Sequence, residues 1–248
     1  MTDRVPEIAI IGYGRFGRFA AGHLKKHFRV YVADREDRLR TESGITKISI
    51  EEAASKKNIV LTVPINQLPS VLEFLAPRLR MGSLVCDTSS VKEQPIRWMK
   101  RYLPTHVSIL GTHPLFGPDS ASKGLAGNTI VLCPVRISKA KLSKIHRHLG
   151  RQGLRVHRMM PRRHDRLMAS TLFLTQFLGR GLIRSEIRDT EIATENFRRL
   201  AGIAEAARHD SMELFRDMYR FNRYARKIPN RLISELQQLT TFLYRSPK

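Results

Sequence analysis

At 248 residues the chain is long enough for one large domain or two modest ones, and its composition is that of a soluble globular protein. The net charge of +22 is high but evenly divided: residues 1–150 carry 24 Lys/Arg against 12 Asp/Glu, and residues 151–248 carry 20 against 10. No RNA-recognition aromatic motif, zinc-finger spacing or basic zipper accompanies the charge, so a nucleic-acid partner is not expected beyond non-specific attraction; such charge suits solubility and draws anionic substrates at low salt.

Met1 to Glu7 is polar, and Ile8 to Ile11 is too short for a signal segment, so a cytoplasmic location is expected. Cys86 and Cys133 lie in strand-like runs and suit buried free thiols in a reducing compartment. The longest apolar stretch, Leu167 to Leu182, is interrupted by Ser170, Thr171, Thr175, Gln176 and Arg180, which argues against a membrane span.

In chain order, Glu7 to Ile11 reads as a buried parallel strand. Gly12-Tyr13-Gly14-Arg15-Phe16-Gly17 follows and opens a helical pattern from Arg15 to His27. This is G-x-G-x-x-G with a strand before it and a helix after it. Gly12 permits the tight turn, Gly14 lets a pyrophosphate approach the backbone, and Gly17 allows close helix–strand packing. The helix N-terminus offers amide donors and a positive dipole end to phosphate. Val30 to Ala33 forms a second strand ending at Asp34, where a carboxylate can bond the ribose hydroxyls of NAD. Arg35 and Arg38 are placed to accommodate a 2′-phosphate. A carboxylate beside that phosphate would repel it, so NAD is favoured and NADP is not excluded.

The alternation continues with a short strand over Ile45 to Ile48, a short helix over Ile50 to Ser55, a buried strand over Asn58 to Val63 and a helix over Asn66 to Leu79. Val63 and Pro64 stand where this strand's end lies beside the cofactor. Ser83 to Asp87 is the next strand. Thr88, Ser89 and Ser90 then read as a helix N-cap before a helix from about Val91, or as hydroxyls for a substrate. Val107 to Leu110 is a strand, and Gly111 to Ser120 is its C-terminal loop, with two Gly and two Pro holding the imidazole of His113, a candidate general base. Asn128 to Cys133 is a strand, Ser138 caps a helix to about Leu149, and Leu154 to Arg158 closes the unit. From Pro161 the pattern is helical. His164, Met168, Thr171, Thr175, Leu178 and Leu182 fall at roughly three- and four-residue steps along one face. The expected architecture is an α/β Rossmann-type dinucleotide-binding domain over residues 1–160, followed by an all-α domain over residues 161–248.

Gly111-Thr112-His113-Pro114-Leu115-Phe116-Gly117-Pro118-Asp119-Ser120 closely resembles the active-site segment of the prephenate/arogenate dehydrogenase family, and Asp87-Thr88-Ser89-Ser90-Val91-Lys92 resembles its serine loop. Asp210-Ser211-Met212-Glu213-Leu214-Phe215 is similar to the C-terminal signature of the plant-type arogenate members. The resemblance covers nearly the whole chain. It implies NAD(P)-dependent oxidative decarboxylation of a cyclohexadienol, with His113 accepting the hydroxyl proton and Ser90 holding that oxygen. It implies that the His164-Asp165 pair begins a linker helix, with His164 facing the substrate, and that the helical domain forms a homodimer. An Arg expected before the C-terminal signature is replaced by Ala206 or Ala207. Arg208, Arg199 and Arg180 are the substitutes that could meet a substrate carboxylate. Asp119 is the candidate to distinguish the ammonium of arogenate from the keto group of prephenate. No metal is implied, and no Cys/His cluster is present to hold one.

Two other readings compete. One is another Rossmann hydroxyacid or imine oxidoreductase. The other is a non-enzymatic dinucleotide- or nucleic-acid-binding protein. The Gly-Tyr-Gly-Arg-Phe-Gly-Arg run also resembles glyceraldehyde-phosphate dehydrogenases, but neither cysteine stands in a Ser-Cys-Thr-Thr-type motif.

Overall fold

Short apolar runs separated by amphipathic helices fold here into a sheet covered on both faces. The computed structural model describes residues 5–36, 43–187 and 190–245; Arg38 lies outside them. The chain divides into two compact units, Met1–Pro161 and Arg162–Lys248. The first carries, in order, β1 (Glu7–Ile11), α1 (Arg15–Leu24), β2 (Arg29–Ala33), β3 (Ile45–Lys47), α2 (Ile50–Ala54), β4 (Asn58–Leu61), α3 (Leu68–Leu75), β5 (Leu84–Asp87), α4 (Glu93–Tyr102), β6 (Ser108–Pro114), β7 (Thr129–Arg136), α5 (Lys139–Arg151) and β8 (Arg155–Arg158).

The strands form one sheet in the order β3-β2-β1-β4-β5-β6-β7-β8. β1 to β6 are parallel, β7 runs antiparallel to β6, and β8 is parallel to β7. The order 3-2-1-4-5-6 is that of the Rossmann sheet, with its ligand crevice outside the carboxyl ends of β1 and β4. Period-two alternation splits β1 between two cores. Ile8 and Ile10 pack with Val30, Val32 and Ala21, whereas Ala9 and Ile11 pack with Ile59, Leu61, Leu72, Val85 and Met99.

Two local expectations are corrected. The strand β6 does not end at Leu110: it runs to Pro114, so His113 sits in a strand and not in a loop. β5 pairs only as far as Asp87 with Gly111, while antiparallel β7 continues the ladder with Leu132, Val131 and Ile130 opposite Thr112, His113 and Pro114. The long partner holds extended a segment that glycine and proline mark as a turn. The second correction concerns Ser90, which caps no helix. α4 starts at Glu93 with Lys92 at its N-cap and no side-chain cap bond. By contrast, Ser138 does cap α5, accepting from the Lys141 amide at 3.2 Å.

The second unit holds α6 (Pro161–Met168), a π-helical turn over Ala169–Phe173, α7 (Leu174–Arg184), α8 (Glu195–His209), α9 (Met212–Phe221) and α10 (Ile228–Arg245). The face buried along α6 and α7 is His164, Asp165, Ala169, Phe173, Gln176 and Gly179. Thr171 and Thr175 are exposed, and their hydroxyls bond back to the carbonyls of Leu167 and Thr171 at 2.8 and 2.9 Å. The π turn inserts a phase shift that a regular 3.6-residue stripe does not anticipate. Phe173 stacks on Phe215 at 5.5 Å, and a Cβ on Gly179 would come within 2.7 Å of the Ile203 carbonyl oxygen. Among the described residues no helix is long and apolar enough to cross a membrane.

Candidate active site

The glycine-rich turn is shaped by what surrounds it. Gly12 has φ +98°, and a Cβ there would lie 2.8 Å from the Thr62 carbonyl oxygen and 3.0 Å from Val63 Cγ1. A Cβ on Gly17 would overlap the Gly12 carbonyl oxygen. Gly14 differs, since nothing lies within 4 Å of the Cβ it lacks. It is also the N-cap of α1, with no side-chain cap bond and no acid in the first turn. An open backbone at an uncapped helix N-terminus, in the crevice of this sheet order, fits a pyrophosphate.

Asp34 follows β2 beside this turn and accepts bonds from the Tyr13 and Glu36 amides. Tyr13 itself is buried, and Arg18 donates to its carbonyl at 3.2 Å. Phe16 packs against Phe19 on the same helix at 5.9 Å. Arg35 is exposed and donates to Gln67 Oε1 at 3.0 Å. Val63 is half-buried and Pro64 exposed, immediately after Thr62, whose amide bonds Ile11 O at 2.8 Å.

Two strands away, the ends of β5 and β6 assemble a second cluster. His113 is 5% exposed, and Ser90 follows the adjacent strand β5. The Ser90 Oγ is buried and has no hydrogen-bond partner among the described residues. Beneath them lies an ion pair the sequence reading passed over as part of a motif: Lys92 and Asp87 are both 0% exposed and bonded to each other. Lys92 Nζ also donates to the Thr112 carbonyl at 2.6 Å, and Thr112 Oγ1 donates to the Asp87 carbonyl at 2.6 Å. Opposite charges five residues apart, bracketing a hydroxyl run at a strand end, were the signal for this pair. It ties β5 to the residue preceding His113. Burial, with the neighbouring Asp87 carboxylate, pushes the Cys86 thiol up to about 12.

The segment after His113 docks on the dinucleotide helix. Phe116 meets Phe19 edge-on at 6.1 Å, and Asp119 forms an ion pair with Arg15. Thus the structure brings Gly12, Gly14, Arg15, Gly17, Asp119 and the His113 strand into one region of the first unit.

In the helical unit His164 is fully buried, with Nδ1 bonded to Asp165 Oδ1 at 2.8 Å, and Asn222 Nδ2 donates to the Asp165 carbonyl at 2.7 Å. The three candidate arginines differ. Arg208 and Arg199 are exposed on α8 and paired with Glu205 and Glu195. Arg180 instead reaches the carbonyls of Asp210 and Ser211 at 2.8 and 3.2 Å and lies over the Phe215 ring, while its Nε is buried and unpartnered among the described residues.

The described chain matches known proteins along most of its length. Residues 20–158 match the family model "Prephenate dehydrogenase, nucleotide-binding domain", and residues 182–247 match "TYRAAT1-like, C-terminal domain". Arogenate dehydrogenase 2, chloroplastic, of Arabidopsis thaliana is 30% identical over 228 residues, covering 87% of this chain and 64% of the relative. A probable arogenate/prephenate dehydrogenase of Methanocaldococcus jannaschii is 28% identical, covering 94% and 56%. The chain therefore spans between half and two thirds of those two relatives. Prephenate dehydrogenase from A. aeolicus, in complex with hydroxyphenyl propionate and NAD+, superposes with a TM-score of 0.77 at 19% identity, covering 99% of this chain and 93% of that one. Synechocystis arogenate dehydrogenase superposes at 0.67 and 21% identity, covering 96% and 92%. At these identities the structural likeness speaks for the fold.

Proposed function

The chain belongs to the prephenate dehydrogenase family, and from that premise we propose that it catalyses the NAD(P)-dependent oxidative decarboxylation of prephenate or arogenate, a step toward tyrosine. The observation that supports this reading is the docking of the segment after His113 onto α1 through Phe116–Phe19 and Asp119–Arg15, which joins the strand carrying the proposed base to the dinucleotide helix.

Gly12, Gly14 and Gly17 would hold the pyrophosphate, and Asp34 would meet the ribose hydroxyls, which favours NAD; Arg35 leaves NADP admissible. Tyr13, Arg15, Phe16, Val63 and Pro64 line the same turn. The cofactor supplies the hydride acceptor. His113 takes the substrate hydroxyl proton as hydride leaves the carbinol carbon, a contribution of about 10²–10⁴-fold for a positioned base. Ser90, its hydroxyl unspent on any group among the described residues, holds that oxygen. The resulting ketone accepts the electron pair released when the ring carboxylate departs as carbon dioxide, and aromatisation drives the step. His164, its ring fixed by Asp165, is assigned to the substrate on the family resemblance. Of the arginines, Arg180 is the better candidate for a carboxylate, because it alone holds an unspent buried donor while Arg208 and Arg199 face solvent and a glutamate. We further assign homodimerisation to the helical unit. Its helix α10 buries no residue and exposes Leu236, Leu239, Phe242 and Leu243.

Initial rates of reduced-nicotinamide formation, with prephenate and arogenate each paired with NAD and NADP, test the reading. A rate in at least one pairing that disappears in His113→Asn supports it. Folded, NAD-binding protein with no rate in any pairing overturns it.

A further inference from the structure

The even division of charge between the chain's halves conceals one strongly biased segment. Residues 120–161 carry nine Lys/Arg and no Asp or Glu. Two of the nine are spent inside the fold: Arg136 bonds the carbonyls of Val107, Leu103 and Pro104, and Lys141 bonds Gly82 O and Ser108 Oγ. The remainder include a stripe on α5. Its Leu142, Ile145 and Leu149 pack against the sheet with Ile130, Leu132 and Val156. At about 100° per residue, Lys144, Arg147 and Arg151 fall within roughly 60° of one another on the opposite side. All three are exposed, and no ion pair or hydrogen bond engages their side chains among the described residues. The edge strand β8 adds exposed Arg155 and Arg158. Cations on an edge strand guard against edge-to-edge pairing, which accounts for β8 but not for α5.

We propose that this α5–β8 surface binds double-stranded nucleic acid through its phosphate backbone, without sequence selection. Along the helix axis the stripe repeats at about 4.5 and 6 Å, so one helix face can follow successive phosphates of a duplex. Single-strand binding uses aromatic platforms for base stacking. Residues 117–172 contain no Phe, Tyr or Trp, and Phe28, which meets His148 of α5 edge-on, is packed against the core cluster of β1 and β2, so the surface reads backbone and not bases. An anionic membrane is the poorer fit, because an interfacial helix inserts its apolar face and that of α5 is committed to the sheet.

The test is fluorescence anisotropy of the full chain against two 20-base-pair duplexes of unrelated sequence, one 20-nucleotide single strand, and phosphatidylserine vesicles, over a salt series. Both duplexes should bind equally, at about 10⁻⁴–10⁻⁶ M, with a steep salt slope. The triple variant Lys144→Gln, Arg147→Gln, Arg151→Gln should flatten that slope by about 2.7. A control triple, Arg216→Gln, Arg220→Gln, Arg231→Gln, removes equal charge from exposed positions of the helical unit and should leave the slope unchanged. Equal loss in both triples, no loss in the first, or tighter binding of the single strand or the vesicles overturns the proposal. No turnover is measured, so the outcome is independent of the proposed dehydrogenase activity.

Discussion

The two units solve the burial of apolar surface differently. The sheet unit satisfies itself. Its strands carry cores on both faces, and even its charged Lys92 and Asp87 are buried and paired. The helical unit buries a smaller cluster around Phe173, Met218 and Ala225 and leaves α10 without a buried residue. A sheet covered by helices closes its own core, whereas a bundle this short exposes an apolar face unless another surface covers it. The proposed chemistry, which demands fixed geometry, is accordingly assigned to the strand ends of the first unit, and the proposed association to the second.

The largest effect expected from breaking this contrast is chemical. His113→Asn should lower kcat by about 10²–10⁴-fold while calorimetric NAD affinity stays unchanged. Turnover within a few-fold of the parent would remove His113 from the role of base. Next comes the buried pair. Lys92→Met strands the Asp87 carboxylate and should cost about 3–5 kcal/mol in denaturant unfolding, much of it regained when Asp87→Asn is added. A single variant as stable as the parent would mean that the pair does not brace β5 against β6.

In the helical unit, Leu236→Lys with Leu239→Lys should convert a sedimenting dimer to a monomer with the circular dichroism spectrum kept. An unaltered mass would place any dimer interface elsewhere. A smaller effect is expected at Asp119, which is half exposed and paired with Arg15. Asp119→Asn should lower the ratio of kcat/KM for arogenate over prephenate by up to about fivefold, and an unchanged ratio would end its role as selector. The least change is expected at Cys86. Its thiol, pushed up to about 12, stays neutral at pH 8, so iodoacetamide labelling of native protein should be far slower than after denaturation. Rapid native labelling would show that this end of β5 opens.

Much of the first unit was legible because its signals are local. Alternating apolar residues, Gly12-x-Gly14-x-x-Gly17 between strand and helix, and Asp34 at the next strand end are backbone and burial requirements written within a few residues of where they act. The same holds for Ser138, whose cap bond spans three residues. Ser90 looked equally local and was not a cap, because Lys92 took that position and turned its ammonium inward to Asp87.

By itself, then, the sequence determined the α/β class, the Rossmann turn and the helical character of the C-terminal region, since periodicity and glycine placement are properties of the chain alone. Only the tertiary structure decided where β6 ends. Local turn residues argue for Gly111, yet the ladder with β7 carries the strand to Pro114 because cross-strand hydrogen bonds outweigh them. It alone decided that Asp87 and Lys92 meet without water, that the π turn rotates the buried face of α6 and α7, and that Asp119 finds Arg15 across 104 residues. The last depends on a distant group arriving, and no short window of sequence contains both partners; Asp87 and Lys92 share a window, but only the packing around them excludes water.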